Sequence, residues 1–261
     1  MKQNVLTIDG HKEIYLVGDT HYPRGNRNKF LSVIEEIENN KDAMMIGMGD
    51  YTESISHNDP RYNPEETMSI VQQTDKKLNM INEQWDMFED DIQCIKDKII
   101  GLHLGNHGGN IMRRYANNCL SSICKRLNVG YLGDGVTLHE IRYNDKVIKM
   151  QTRHGIGAGR MAGHAYNKID EDSRIFADMD VVANGHTHKL GVNIMIAPME
   201  VSNGDVKQKI QYHCATGSFL PNYLDGITTY GERYAYRPLP MGYVKVIIND
   251  GVITHVMPVP M

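Results

Sequence analysis

Five short polar clusters in this 261-residue chain carry side chains suited to binding cations, and each follows a short apolar run. They are Gly18-Asp19-Thr20-His21 after IYLV, Gly49-Asp50-Tyr51-Thr52-Glu53 after AMMIGM, Gly105-Asn106-His107 after IIGLHL, His154-Gly155 after VIKMQTR, and Gly185-His186-Thr187-His188 after VVAN. Asp and Asn offer hard oxygen ligands, and imidazole offers a borderline nitrogen. Asp-x-His and His-x-His set two donors two residues apart, which puts both on one side of an extended backbone. One Asp can also join two cations through its two oxygens. Taken singly, each cluster is an ordinary surface turn, or a structural histidine in the case of His154. All five together, each at the end of an apolar run, point to loops that converge on a metal pair at the carboxyl ends of strands.

The elements that must position them follow from periodicity and turn signals. Strands are predicted at Asn4–Asp9 and Glu13–Val17, joined by a Gly-His-Lys turn, and at Ala43–Met48 and Lys98–Leu104. Helices are predicted at Arg27–Asn39, Glu65–Asn82, Glu83–Asp97, Asn110–Leu127 and Met161–Ala177. Val136–Tyr143 and Lys146–Thr152 form a hairpin around Asn144-Asp145, and Val181–Asn184 is a short strand. The tail adds strands at Leu190–Ile196, Lys207–Ala215, Tyr243–Asn249 and Val252–Val256, with Asn249-Asp250-Gly251 as a hairpin signal. Alternating βα units followed by a β-rich tail predict two sheets with helices outside. Residues 1–261 are read as one domain, without repeat or linker.

Composition narrows the partners. Net charge is −4 and the sequence pI about 6.3, which gives no support to broad coating of a polyanion but leaves room for a local basic site. Cys94, Cys119, Cys124 and Cys214 form no CxxC pair and are read as reduced thiols. There is no apolar run of about 18 residues and no secretory h-region, so a cytoplasmic protein without a membrane span is expected. Nothing in the sequence indicates a homo-oligomer.

In its ordered motifs from Val17 to His188 the chain resembles the calcineurin-like metallophosphoesterases, and its Tyr-rich tail is similar to that of phage-encoded members. The resemblance implies an α/β fold, a four-layer αββα sandwich of two mixed β-sheets flanked by helices. It implies one metal held by Asp19, His21, Asp50 and His188, a second held by Asp50, Asn106, His154 and His186, and Asp50 as the bridge. It gives His107 the role of contacting substrate and protonating the leaving group, with Glu53 at the acidic position that orients it. Gly108-Gly109 stands where many members have an acidic residue. Glu53-Ser54-Ile55 stands where serine/threonine protein phosphatases have Asp-Arg-Gly, which argues against that branch.

The chemistry expected is hydrolysis by a water that two divalent ions activate, manganese being the working choice and iron, zinc, nickel or cobalt compatible with the same ligands. His107 supplies the proton to the leaving oxygen, since imidazole ordinarily titrates near neutrality. Arg113 and Arg114, just after the Asn-His motif, are candidate phosphate contacts beside Asn106. The substrate expected first is a phosphodiester of DNA, RNA or a nucleotide, as for a nuclease. A phosphomonoesterase acting on a nucleotide, metabolite or phosphoprotein is the alternative. A non-catalytic binding scaffold ranks last, because every ligand and the acid histidine are present. Arg153 and Arg160 flank His154 and face either the site or solvent. Tyr223, Tyr230, Tyr234 and Tyr236 form either a lid or base-stacking platform or, the reading preferred here, a packed C-terminal wrap or subunit contact.

Overall fold

Side chains alternate between the two faces of a strand, so a strand buried on both faces must be covered on both. The computed structural model describes residues 2–54, 81–157, 159–176, 178–196, 200–202 and 205–261, and its two principal sheets show this double covering. The first runs from edge to edge as β14 (Val252–Pro260), β13 (Gly242–Asn249), β2 (Lys12–Val17), β3 (Ala43–Gly47), β4 (Ile99–His103) and β5 (Tyr131–Gly133). The second runs as β1 (Lys2–Thr7), β6 (Thr137–Tyr143), β7 (Lys146–Arg153), β8 (Val181–Asn184), β12 (Ile210–Thr216) and β9 (Leu190–Ile196). Both are mixed. β2, β3, β4 and β5 are parallel, as are β7, β8 and β12, while β13 and β9 join antiparallel.

Three apolar interfaces separate four layers. Ile14, Leu16, Ile46 and Met48 from the first sheet meet Ile148, Met150, Val181, Ala183 and Cys214 from the second in the middle of the sandwich. The alternate residues Tyr15, Val17 and Met45 face outward against α1 (Arg27–Asn39), α2 (Ile81–Ile92) and α4 (Cys119–Leu127), through Phe30, Ile34, Trp85, Phe88 and Leu120. On the other side Val182 and Ala215 pack on Ala165 and Ile169 of α5 (Ala162–Ser173). This is the expected αββα architecture. Among the described residues, no helix is long and apolar enough to cross a membrane.

The departures from expectation have local causes. The Gly-His-Lys turn does not close a hairpin. β1 pairs with β6, and β2 with β3 and β13, so the turn carries the chain from one sheet to the other. The helix predicted over Asn110–Leu127 is two helices. α3 (Gly105–Tyr115) ends where Ala116 turns left-handed (φ 52°), and Asn118 then caps α4 by accepting from the Ser121 amide at 3.0 Å. α2 stops at Ile92, and a 3₁₀ turn (Gln93–Lys98) follows. There the Lys98 ammonium donates to the carbonyls of Ile37, Glu38 and Asn40 (2.7–2.8 Å), which satisfies the open C-terminus of α1. Of the helix predicted at Glu65–Asn82, only Ile81 and Asn82 fall within the described residues, where they begin α2. β5 and a small hairpin of β10 (Glu200–Ser202) and β11 (Asp205–Lys207) were not expected, being only three residues long each.

One buried carboxylate fixes the loop after β2. Asp91 of α2 accepts from the Tyr22 hydroxyl (2.5 Å) and from Arg27 through two nitrogens (2.8 and 2.7 Å). Asp91→Ala leaves the Tyr22 hydroxyl buried without its acceptor. Because Arg27 is half exposed, its share is discounted. The expected loss is about 1–3 kcal/mol, seen as a lower urea midpoint at unchanged slope. An unshifted midpoint would show that this anchor does not hold the loop.

Candidate metal centre

The five polar clusters lie at the carboxyl ends of β2, β3, β4, β7 and β8, so both sheets deliver loops to one end of the sandwich. The loops are knitted by backbone bonds that prolong the strands. The Asp19 amide donates to Gly49 (2.8 Å), His21 to Asp50 (3.1 Å), Tyr22 to Tyr51 (2.8 Å), and Phe219 to Asp19 (3.0 Å). Asp19, His21, Asp50, His186 and His188 all have φ between 49° and 66°. That region is costly for residues with a Cβ, and such strain gathers where function demands a side-chain direction. Gly105 (φ +73°) makes the crossing possible, because a Cβ there would stand 2.3 Å from the Asp50 amide nitrogen and 2.4 Å from its Oδ1.

Asp19 and Asp50 each divide their oxygens between the fold and the site. Asp19 Oδ2 accepts from the His186 amide (3.0 Å), and its buried Oδ1 accepts no hydrogen bond from the described residues. That Oδ1 lies 3.3 Å from His188 Nε2 and 3.6 Å from His21 Nε2, and the two nitrogens are 3.0 Å apart. Asp50 Oδ1 accepts from the His107 amide (2.9 Å), while Oδ2 lies 3.0 Å from His154 Nε2. Asn106 Oδ1 is 2.9 Å from the same His154 nitrogen. Asp19, His21 and His188 thus form one group able to hold a metal ion, and Asp50, His154 and His186 another, each with its ligand atoms within 4.8 Å of one another.

Partners outside the cluster fix which nitrogens face it. His154 Nδ1 donates to the Met48 carbonyl (2.8 Å), so its Nε2 presents a lone pair to Asp50 and Asn106. His21 Nδ1 ion-pairs with Glu53 Oε1 (2.9 Å), leaving Nε2 toward Asp19 and His188. Lone pairs that converge repel unless a cation or a proton lies between them, and the donor set is one that divalent transition ions accept. The residues present fit bound divalent metal.

Glu53 approaches His107 most closely through its backbone. His107 Nδ1 donates to the backbone carbonyl of Glu53 (2.7 Å), whereas the Glu53 carboxylate is 3.9 Å from it. The carboxylate instead serves His21 and the Arg24 guanidinium (3.3 Å). His107 Nε2 is left 3.8 Å from Asp50 Oδ2 and its ring edge-on to His21.

A cleft of about 610 Å³ opens over the cluster and includes His21, Asp50, Glu53, Asn106, His107, His186 and His188 in its lining. Arg113 and Arg114 do not reach it. Both are exposed on α3, and Arg113 bonds Asn110 (2.7 Å). Arg153 turns toward Asp172 of α5 (3.1 Å). Among the described residues, the lysines and arginines in the cleft wall are Arg24, Arg160, Lys189 and Arg237. Burial and the neighbouring Arg237 push the Lys189 ammonium below its ordinary pKa. Tyr230 and Tyr236 also line the cleft, so the Tyr-rich segment is a wall of the site and not only a C-terminal wrap. Arg24 and Lys189 adjoin expected ligand motifs and could have been singled out on that ground. Arg237 sits in a loop with no local signal.

No family model matches the chain, and no curated protein is significantly similar to it in sequence. Among solved structures it is similar to the NAD nucleotidase of Haemophilus influenzae (11% identity, 96% of this chain and 50% of that one, TM-score 0.47). It is similar also to vacuolar protein sorting 29 of Cryptosporidium parvum (12%, 97% and 100%, TM-score 0.44). A third is a conserved Streptococcus pneumoniae protein described as a predicted phosphoesterase (13%, 97% and 91%, TM-score 0.39).

Burial alone would push His21 and His154 down, but Glu53, Asp19 and Asp50 around the first, and Asp50 and Asp19 around the second, raise them to about 10 and about 9. Against their burial, His188, His21 and His154 hold Asp19, and His154, His107 and His21 hold Asp50, well below the carboxylate range. A raised imidazole contributes stability below its unfolded pKa, near 6.5, and loses it as pH climbs through the folded value. The lowered carboxylates lose theirs as pH falls below 3.8 toward their folded values. Metal-free protein should therefore soften between about pH 7 and 10. Metal uptake at pH 7 should release protons, seen in calorimetry as a heat that varies with buffer ionisation enthalpy. Proton-neutral uptake at pH 7 would contradict this account of the cluster.

Proposed function

We propose that the chain is a calcineurin-like metallophosphoesterase that uses two divalent cations to hydrolyse phosphodiesters of nucleic acid or nucleotides. The observation that carries the reading is the convergence of lone pairs from five loops, with Asp19 Oδ1 buried and lacking a donor among the described residues. Asp19, His21, Asp50 and His188 would hold one ion, and Asp50, Asn106, His154 and His186 the other. When bound, such a pair supplies Lewis acidity toward phosphoryl oxygens and lowers the pKa of a water to near neutral.

The chain's own groups supply the rest. His107 is the general acid in this reading. Its Nδ1 proton is held by the Glu53 carbonyl, which leaves Nε2 as the atom that delivers a proton to the leaving oxygen. The Glu53 carboxylate raises the basicity of His21 and so strengthens it as a ligand. Manganese is the metal assigned, and iron, zinc, nickel and cobalt suit the same donors.

The test is metal-stripped protein with each ion restored separately, assayed on bis-p-nitrophenyl phosphate, p-nitrophenyl phosphate, single- and double-stranded DNA and mononucleotides. Diester cleavage that depends on the restored ion is expected. Preference for p-nitrophenyl phosphate and mononucleotides would redirect the reading to a monoesterase, and metal binding without turnover on any of these would refute it.

His107→Asn should lower kcat on an alkoxide leaving group by ~10²–10⁴-fold with metal content unchanged, and by much less on a p-nitrophenolate leaving group. Equal losses on both leaving groups would remove His107 from the proton-transfer step.

A further inference from the structure

Charge in the cleft wall does not cancel. Of the four arginines and lysines that line it among the described residues, Arg24 is paired with Glu53 (3.3 Å). The contacts of the other three are with neutral groups. The Lys189 ammonium donates to the Arg160 carbonyl (3.3 Å), and the Arg160 guanidinium lies over the Tyr236 ring, 5.3 Å from its centroid. Arg237 is held through its backbone, where its carbonyl accepts from the Asn222 amide side chain (2.8 Å). Among the described residues, no carboxylate lies within ion-pair range of these three side chains.

Like charges brought together in a cleft, with no counter-charge of the protein, are destabilising unless a ligand supplies it. This chain had the means to avoid that, since its net charge is −4. Among the described residues, the carboxylates that line the cleft are engaged elsewhere, Asp50 with His154 and Glu53 with His21 and Arg24. The loops bearing the cations are also braced. The Tyr223 hydroxyl donates to the Tyr236 carbonyl (2.7 Å), and the Thr229 side chain accepts from the Glu232 amide (3.1 Å) at the start of the single helical turn Tyr230–Arg233. The cations are therefore presented by a wall with its own hydrogen bonds.

We propose that Arg160, Lys189 and Arg237, with the Tyr236 ring beneath Arg160, form a subsite for a second phosphate group of the substrate, beside the one attacked at the Asp/His cluster. The inference rests on the phosphoesterase reading of that cluster. Guanidinium forks match two phosphate oxygens and an ammonium serves as a compact point charge, so the three groups can surround one phosphate. A cleft of about 610 Å³ has room for a substrate of dinucleotide size. The second phosphate can belong to a nucleotide strand or to the polyphosphate of a dinucleotide, and the subsite chemistry is shared.

The experiment compares kcat/KM of the manganese-loaded full chain, wild type against the double variant Lys189→Gln/Arg237→Gln. The substrates are dTpdT, its 5′- and 3′-phosphorylated forms, and a dinucleoside tetraphosphate. For the wild type, at least one substrate carrying an additional phosphate should exceed dTpdT tenfold or more, and the double variant should bring that ratio close to one. A phosphorylated dithymidine in first place assigns the phosphate to a strand, and the tetraphosphate in first place assigns it to a polyphosphate. A wild-type ratio near one for every substrate, or a high ratio that survives the double substitution, overturns the subsite. Absence of turnover on every substrate is a failure of the phosphoesterase reading instead. The subsite is then judged by equilibrium dialysis of the same compounds, where the phosphorylated forms must still bind tenfold more tightly than dTpdT and lose that margin in the variant.

Discussion

Asp19 and Asp50 are asked to do two incompatible things, and the structure resolves the conflict by splitting each carboxylate. One oxygen of each accepts a backbone amide from a loop far away in sequence, His186 for Asp19 and His107 for Asp50. The other oxygen faces imidazoles. Charge-assisted bonds to backbone amides are among the stronger ones available to a protein, and here they tie the β2 loop to the β8 loop and the β3 loop to the start of α3. The fold of this end of the sandwich is thus held by the same side chains that are offered to metal. Left-handed backbone at Asp19, His21, Asp50, His186 and His188 is the cost of aiming them inward, and the inter-loop bonds offset it.

The layers explain why two sheets are needed. A single parallel sheet brings together the loops of neighbouring strands, which here would gather only the donors after β2, β3 and β4. The imidazoles of His154, His186 and His188 come from β7 and β8 in the other sheet. Their approach is set by the apolar middle layer, where Ile46 and Met48 meet Met150, Val181 and Ala183. Met48 takes part in both tasks, since its side chain is in that layer and its carbonyl accepts the His154 Nδ1 proton. Packing between the sheets and the choice of imidazole nitrogen are therefore one constraint.

Much of this was legible in the chain itself. Short apolar runs ending in Gly-Asp, Gly-Asn-His or Gly-His-x-His state both the strand and the loop that follows, so the gathering of these loops and two sheets with helices outside could be read from the chain, while the four-layer order came with the family resemblance. What could not be read depends on distance in space. Nothing local says that the Glu53 carboxylate will reach His21 while its carbonyl takes His107, because that division rests on the left-handed turn at Ser54 and the approach of α3. Arg113 and Arg114 were plausible from sequence proximity alone, but helix phase carries them to the exposed side of α3. Arg237 and Tyr236 are about 50 residues beyond His188 and enter the cleft only because the chain after β12 returns across the site.

Net charge was the least informative quantity, and the reason is physical. A residue count treats every carboxylate as free, yet Asp19, Asp50 and Glu53 are buried and held ionised by the imidazolium and guanidinium groups around them. A buried pair of opposite charges has little field at a distance, whereas Arg160 and Arg237 are exposed and no carboxylate of the described residues pairs with them. At the mouth of the cleft these two described side chains therefore contribute positive charge although the chain as a whole carries −4. Any cation bound at the Asp/His cluster would add to that charge, since it would displace protons from imidazoles and leave a divalent charge in their place. Attraction of an anion to this cleft is accordingly a local property. It is governed by which carboxylates are already neutralised, and total charge carries no information on that.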